Sequence, residues 1–67
     1  MDIIVYTKNG CPLCSALKNM LDSKKIEYTQ NTNIDEMIAL GFTSLPRLSV
    51  NGQIMTYKEA IEWLKEF

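Results

Sequence analysis

The chain has no histidine and only two cysteines, and its charges nearly cancel, with seven Lys and Arg against eight Asp and Glu for a formal net charge of -1. Each shortage removes a class of function. Zinc normally takes four nitrogen or sulfur ligands, so a single chain of this composition cannot build a structural zinc site. Without a basic excess there is no electrostatic footprint for binding phosphates regardless of sequence, which argues against nucleic acid as a partner. The longest apolar run near the start, Ile3-Ile4-Val5-Tyr6, falls far short of the roughly 18 residues that span a bilayer, and no signal-peptide pattern precedes it. A cytoplasmic monomer with no membrane partner is expected. Repeats, linkers and low-complexity segments are absent as well.

What is present is 67 residues, of which 46% are hydrophobic and 22% charged. That suits one small domain over residues 1–67, because two cores would each be too small to offset the entropy of ordering the chain. A chain this short buries only roughly 60% of the surface it exposes unfolded, so loops and strands must be short.

Residues 2 to 6 read as a strand covered on both faces. From Pro12 to about Lys24, Leu13, Ala16, Leu17, Met20 and Leu21 recur at helical spacing, and Ile26 to Gln30 alternates as a second strand, predicting a parallel crossover unit. Ile34, Met37, Ile38 and Leu40 predict a short second helix, with Gly41 placed to cap its end. Arg47–Val50 and Gln53–Met55 flank Asn51-Gly52, the dipeptide best suited to a type I′ hairpin turn. Thr56-Tyr57-Lys58-Glu59 matches a capping box and opens a last helix with Tyr57, Ala60, Ile61 and Leu64 on one face. The predicted order is βαβαββα, an α/β fold.

Cys11-Pro12-Leu13-Cys14 falls where the first strand hands over to the first helix. Cys11 takes the N-cap and Pro12 the first helical position, where its missing N–H costs nothing. The Cys11 sulfur then faces the free N–H groups of Leu13 and Cys14. A thiolate there is stabilised by the helix dipole by up to about 2 kcal/mol, somewhat over one pKa unit, and Lys8 adds positive charge from the same turn. Because the thiolate is the nucleophile of disulfide exchange, Cys11 is the candidate attacking group and Cys14, one turn into the helix, the resolving group. That chemistry needs no metal and no organic cofactor. The competing readings are a structural disulfide and a binding module in which two chains hold zinc or an iron-sulfur cluster with four cysteines. A bridge spanning two residues is a poor staple, contributing on the order of 2 kcal/mol before strain.

Tyr6-Thr7-Lys8-Asn9-Gly10-Cys11-Pro12-Leu13-Cys14, followed by Gly41-Phe42-Thr43-Ser44-Leu45-Pro46 ahead of a hairpin and a short final helix, resembles the thioredoxin-fold family. The resemblance is to its smallest branch, the glutaredoxins and glutaredoxin-like NrdH-redoxins, and spans the whole chain. It implies a minimal thioredoxin-like fold, with a four-stranded mixed sheet flanked by three helices. It further implies a cis Pro46 packed against the disulfide, with the Leu45 backbone free to pair with an extended substrate. Glutathione-binding members use a lysine before the first cysteine, an aromatic inside the motif, the residue before the cis-proline, and two glycines at the last helix. Lys8 and Leu45 match these positions. Leu13 replaces the aromatic, and Ile54-Met55-Thr56-Tyr57 replaces the glycines, with Thr56 offering a hydroxyl and a helix N-terminus to a carboxylate. The stretch from Asn31 to Phe42 is also more than a turn shorter than usual.

The resemblance therefore implies a thiol-disulfide oxidoreductase with Cys11 and Cys14 catalytic and Lys8, Pro12, Leu13, Leu45, Pro46 and Thr56 around the substrate. Protein disulfides or glutathione mixed disulfides are its substrates, and glutathione or a thioredoxin reductase-like flavoprotein restores the dithiol. Ribonucleotide reductase is one implied client. Plainer readings exist for the neighbours: Lys8 as a solvated turn lysine, Pro46 as a strand-edge feature, Arg47 as a charge guarding an edge strand. Trp63, Tyr28 and the methionines read as packing residues, and Lys24-Lys25 as the solvated end of the first helix.

Overall fold

The computed structural model describes residues 2–67. Its elements are β1 (Ile3–Tyr6), α1 (Pro12–Ser23), β2 (Thr29–Asn31), α2 (Ile34–Ala39), β3 (Arg47–Val50), β4 (Gln53–Met55) and α3 (Tyr57–Lys65), the predicted order. The sheet runs β2-β1-β3-β4, with β1 parallel to β2 and antiparallel to β3, and β3 antiparallel to β4. β1 is thus an interior strand, which explains its nearly continuous apolar sequence.

Alternation along the strands sorts the two faces. Ile3 and Val5, with Leu48 and Met55, join Leu17 and Leu21 of α1 and Ala60 and Leu64 of α3 in one buried cluster. Tyr6, the residue after Val5, turns to the opposite face, where its ring meets Phe42 edge-on at 5.0 Å between centroids. Phe42 lies three residues past the end of α2 and its N–H donates to Met37 O, so the shortest helix serves that second face. Only Met37 of α2 is buried, while Ile34, Ile38 and Leu40, predicted for the same apolar stripe, face solvent. A helix of six residues presents a single turn and a half, too little to seat four apolar side chains on one sheet face.

The turns explain most boundaries. Asn51 and Gly52 have φ of 51° and 89°, the two left-handed conformations of a type I′ turn, and this fixes β3 and β4 at their predicted limits. Asp2 and Asn51 close the sheet corner, each main-chain or side-chain oxygen of one accepting from the other at 2.8 Å. Thr56 Oγ1 accepts from the Glu59 N–H and Glu59 Oε1 accepts from the Thr56 N–H, completing the predicted capping box.

β2 departs from expectation. It begins at Thr29, not Ile26, because α1 ends in a Schellman motif. Lys25 takes φ 58°, its N–H donates to Asp22 O, and the Ile26 N–H donates back to Leu21 O. Ile26 is buried as the apolar partner of that motif and belongs to no strand. The same pattern ends α2, where Gly41 at φ 81° and Phe42 donate to Ile38 O and Met37 O, as its predicted capping role requires.

Candidate functional site

Three segments meet at the C-terminal end of β1. The first is the turn after β1. Thr7 remains tied to the parallel neighbour, its N–H donating to Asn31 O at 3.0 Å. Lys8 and Asn9 are exposed, and Gly10 at φ 76° bends the chain into Cys11, a conformation other residues resist.

The second segment is the start of α1. Cys11 is extended at φ -101°, ψ 107°, and Pro12 opens the helix, so the cysteine caps it. Cys11 Sγ accepts from the Cys14 N–H at 3.1 Å. Of the two N–H groups expected at the sulfur, only that of Cys14 is engaged, since one capping side chain satisfies a single donor in the first turn. Cys11 and Cys14 are joined in a disulfide with a Cα separation of 5.2 Å. Their environments differ sharply, because Cys11 is half-buried at the rim while Cys14 is 1% exposed. Leu13 between them is 48% exposed, an apolar side chain at the edge of the disulfide.

The third segment is Thr43–Pro46. The Leu45–Pro46 peptide bond is cis, as the resemblance implies, and Pro46 is buried while Leu45 is half-buried. The sheet ladder starts at Arg47, and among the described residues neither the N–H nor the C=O of Leu45 bonds to main chain elsewhere. Arg47 lies on an interior strand and guards no edge. Its Nε donates to Ser44 O at 3.1 Å, its Nη2 to Ser44 Oγ at 3.4 Å, and its guanidinium lies 5.3 Å above the Phe42 ring. It braces the loop that carries Leu45, a role that a charge at the start of a strand does not announce.

Lys8, Cys11 and Pro12 line one concave surface, and Lys8 and Leu45 line the groove beside it. Thr56 lines neither, and its capping box already places the Glu59 carboxylate at the N-terminus of α3. The Glu59 carboxyl is held below its usual range, first by the Thr56 N–H, then by the Thr56 side chain, with a smaller effect of the Arg47 charge. Thr7 is the residue that sequence reasoning passed over. Its Oγ1 is buried beside this site with no hydrogen-bond partner, the one such side-chain atom among the described residues. Nothing in a Tyr-Thr-Lys turn signals that.

Among the described residues, no three potential ligands gather to hold a metal ion, and no helix is long and apolar enough to cross a membrane. No curated protein sequence matches the chain. Among solved structures it is similar to the glutaredoxin-like protein NrdH-redoxin from Escherichia coli, with a TM-score of 0.80, 20% identity, and coverage of 100% of this chain and 95% of that one. It is also similar to the thioredoxin-like protein BC3987, with a TM-score of 0.76, 22% identity and 97% of each chain covered. These likenesses establish the fold. The glutaredoxin family model matches residues 3–55, from the first strand through the cysteine pair and Pro46 to the end of β4, and by that match the chain belongs to the glutaredoxin family.

Proposed function

We propose that this glutaredoxin-family chain is a dithiol oxidoreductase that reduces disulfides of protein clients, with Cys11 attacking and Cys14 resolving. The observation that carries the reading is the asymmetry of the pair: one sulfur at the rim, capping a helix, and the other shielded behind it. In the reduced protein the Cys11 thiolate attacks one client sulfur. A bond forms from Cys11 Sγ to that sulfur, the client disulfide breaks, and the departing thiolate takes a proton. Cys14, having lost its proton, then attacks Cys11 Sγ and breaks the mixed disulfide. The second client thiolate leaves and is protonated, and two electrons have passed from the cysteine pair to the client. Two molecules of a thiol such as glutathione, leaving joined as its disulfide, or a flavoprotein reductase, return two electrons to restore the dithiol.

Two features favour protein clients over tight glutathione binding. Leu13 and Leu45 give the site an apolar rim, and the Glu59 carboxylate occupies the helix start where Thr56 would receive a glutathione carboxylate. A ribonucleotide reductase stands among the clients by analogy with the NrdH-redoxins. The protein would work as a monomer in a reducing compartment such as the cytoplasm, with Lys8 and Pro12 bordering the reacting sulfurs.

Trapping tests this reading. With Cys14→Ser the mixed disulfide through Cys11 cannot resolve, so incubation with lysate should give reductant-sensitive protein adducts absent from a Cys11→Ser control. Equal adducts in both variants, or none in either, sink the exchange mechanism. Adducts of glutathione alone would move the substrate assignment to glutathione. Metal or inorganic sulfide stoichiometric with pairs of chains would instead favour the binding module.

A further inference from the structure

A groove of about 280 Å³ opens between α2 and the Thr43–Leu45 loop. Its walls are mainly apolar, with Ile34 and Ile38 at 44% and 67% exposed on one side and Leu45 on the other. Lys8 is the one charged side chain among the described residues lining it. Lys8 also lines the concave surface over Cys11, together with Lys18, so the groove and the disulfide share a rim. Among the described residues no carboxylate lines either surface, although the chain carries eight Asp and Glu. The site is therefore a cationic and apolar patch on a molecule of slightly negative net charge.

We propose that this groove is a specificity subsite for an extended client segment. It seats an apolar side chain within about two residues of the attacked cysteine, while Lys8 pairs with an acidic residue on the cysteine's other flank. The inference rests on the oxidoreductase reading above and adds the kind of sequence the client presents. A segment paired with the free main chain of Leu45 advances about 3.3 Å per residue, so one to two residues carry it from the reacting sulfur across a groove of this size. Ile34 and Ile38 then lose the water that now covers them. With no carboxylate among the described residues lining either surface, the Lys8 charge is left for the incoming acid.

The test uses short peptides whose cysteine is disulfide-linked to the chromogenic thiol thionitrobenzoate. Asp or Lys stands on one side of the cysteine and Leu or Ser on the other, in both orders, and hydroxyethyl disulfide serves as a small neutral reference. For the wild-type protein, kcat/KM for the best Asp and Leu peptide should exceed that of the matching Ser peptide by about tenfold, the effect of removing an apolar side chain from water by roughly half. Replacing Asp by Lys should cost about threefold at low salt and less at high salt. In the double variant Ile34→Ser, Ile38→Ser, the Leu-to-Ser ratio should fall close to one, and in Lys8→Glu the Asp-to-Lys preference should reverse. A protein that reduces the reference but treats all the peptides alike overturns the subsite and leaves the oxidoreductase reading standing. One that reduces neither overturns both. A leucine preference that survives the double substitution, or glutathione disulfide reduced as well as the best peptide, also overturns the proposed occupant. Because both isoleucines are exposed, the variants should keep the wild-type circular dichroism spectrum, and the peptide series on wild-type protein needs no variant.

Discussion

Under α1 and α3, Leu17, Leu21, Leu48, Ala60 and Leu64 are wholly shielded from solvent, whereas on the opposite face α2 buries Met37 and leaves Ile34, Ile38 and Leu40 exposed. The same residue types are thus used in two ways. On the closed face they supply the stability of a domain with little interior to spare. On the open face they line a groove beside the disulfide and contribute little to folding. Cys11 and Cys14 straddle the boundary, since α1 holds Cys14 in the closed region and presents Cys11 at the rim.

The strongest way to break this comparison is to truncate one side chain on each face. Leu17→Ala empties the closed core and should cost about 2–5 kcal/mol, a large share of the roughly 3–10 kcal/mol expected for a chain of this size. Ile38→Ser, on the open face, should change stability by no more than about 0.5 kcal/mol. Urea denaturation of the reduced proteins reads both. Comparable losses would mean that α2 is a structural layer and its apolar surface no reserve for binding.

The next effect separates the two sulfurs. A thiolate at the Cys11 cap should be stabilised by the helix N-terminus and the Cys14 N–H, so that it titrates below an ordinary thiol. Cys14, shielded on the closed side, should gain no such advantage. Alkylation rates against pH, followed at each site on the reduced protein, give both values. If Cys14 reacts first, or Cys11 titrates as an ordinary thiol, the roles of rim and interior sulfur are reversed or empty.

What could be read from the sequence follows from how local each signal is. Asn51-Gly52, the Thr56 to Glu59 capping box and Cys11-Pro12 are satisfied by residues a few positions apart, and the structure places all three as expected. The start of β2 is hidden in the sequence because Lys25 adopts the left-handed conformation with no glycine to mark it, and the alternation from Ile26 onward mimics a strand. Spacing revealed α2 as a helix, but not that only one of its apolar residues would find cover. That depends on which layer reaches the second face, a tertiary fact. The Arg47 brace and the buried Thr7 hydroxyl are hidden for the same reason, since each depends on neighbours brought together by the loop and sheet.

The smallest expected effect lies at the start of α3, on the closed face, where Glu59 is itself fully open to solvent. Its carboxyl is held below the usual range, chiefly by the Thr56 N–H, so the charged form is favoured in the folded state. A carboxyl whose folded pKa is depressed contributes stability that is fully present above its unfolded value, near 4.3, and is lost as the pH falls through the lower folded value. Glu59→Gln keeps an oxygen that can accept from the Thr56 N–H but cannot titrate. The stability difference between wild type and Glu59→Gln should therefore be constant from neutrality down to about pH 5 and shrink in more acidic solution. Urea midpoints measured at closely spaced pH values decide it. A difference that persists unchanged into strong acid would show that the cap works as a neutral hydrogen bond, with the Glu59 charge irrelevant to how the closed face is held.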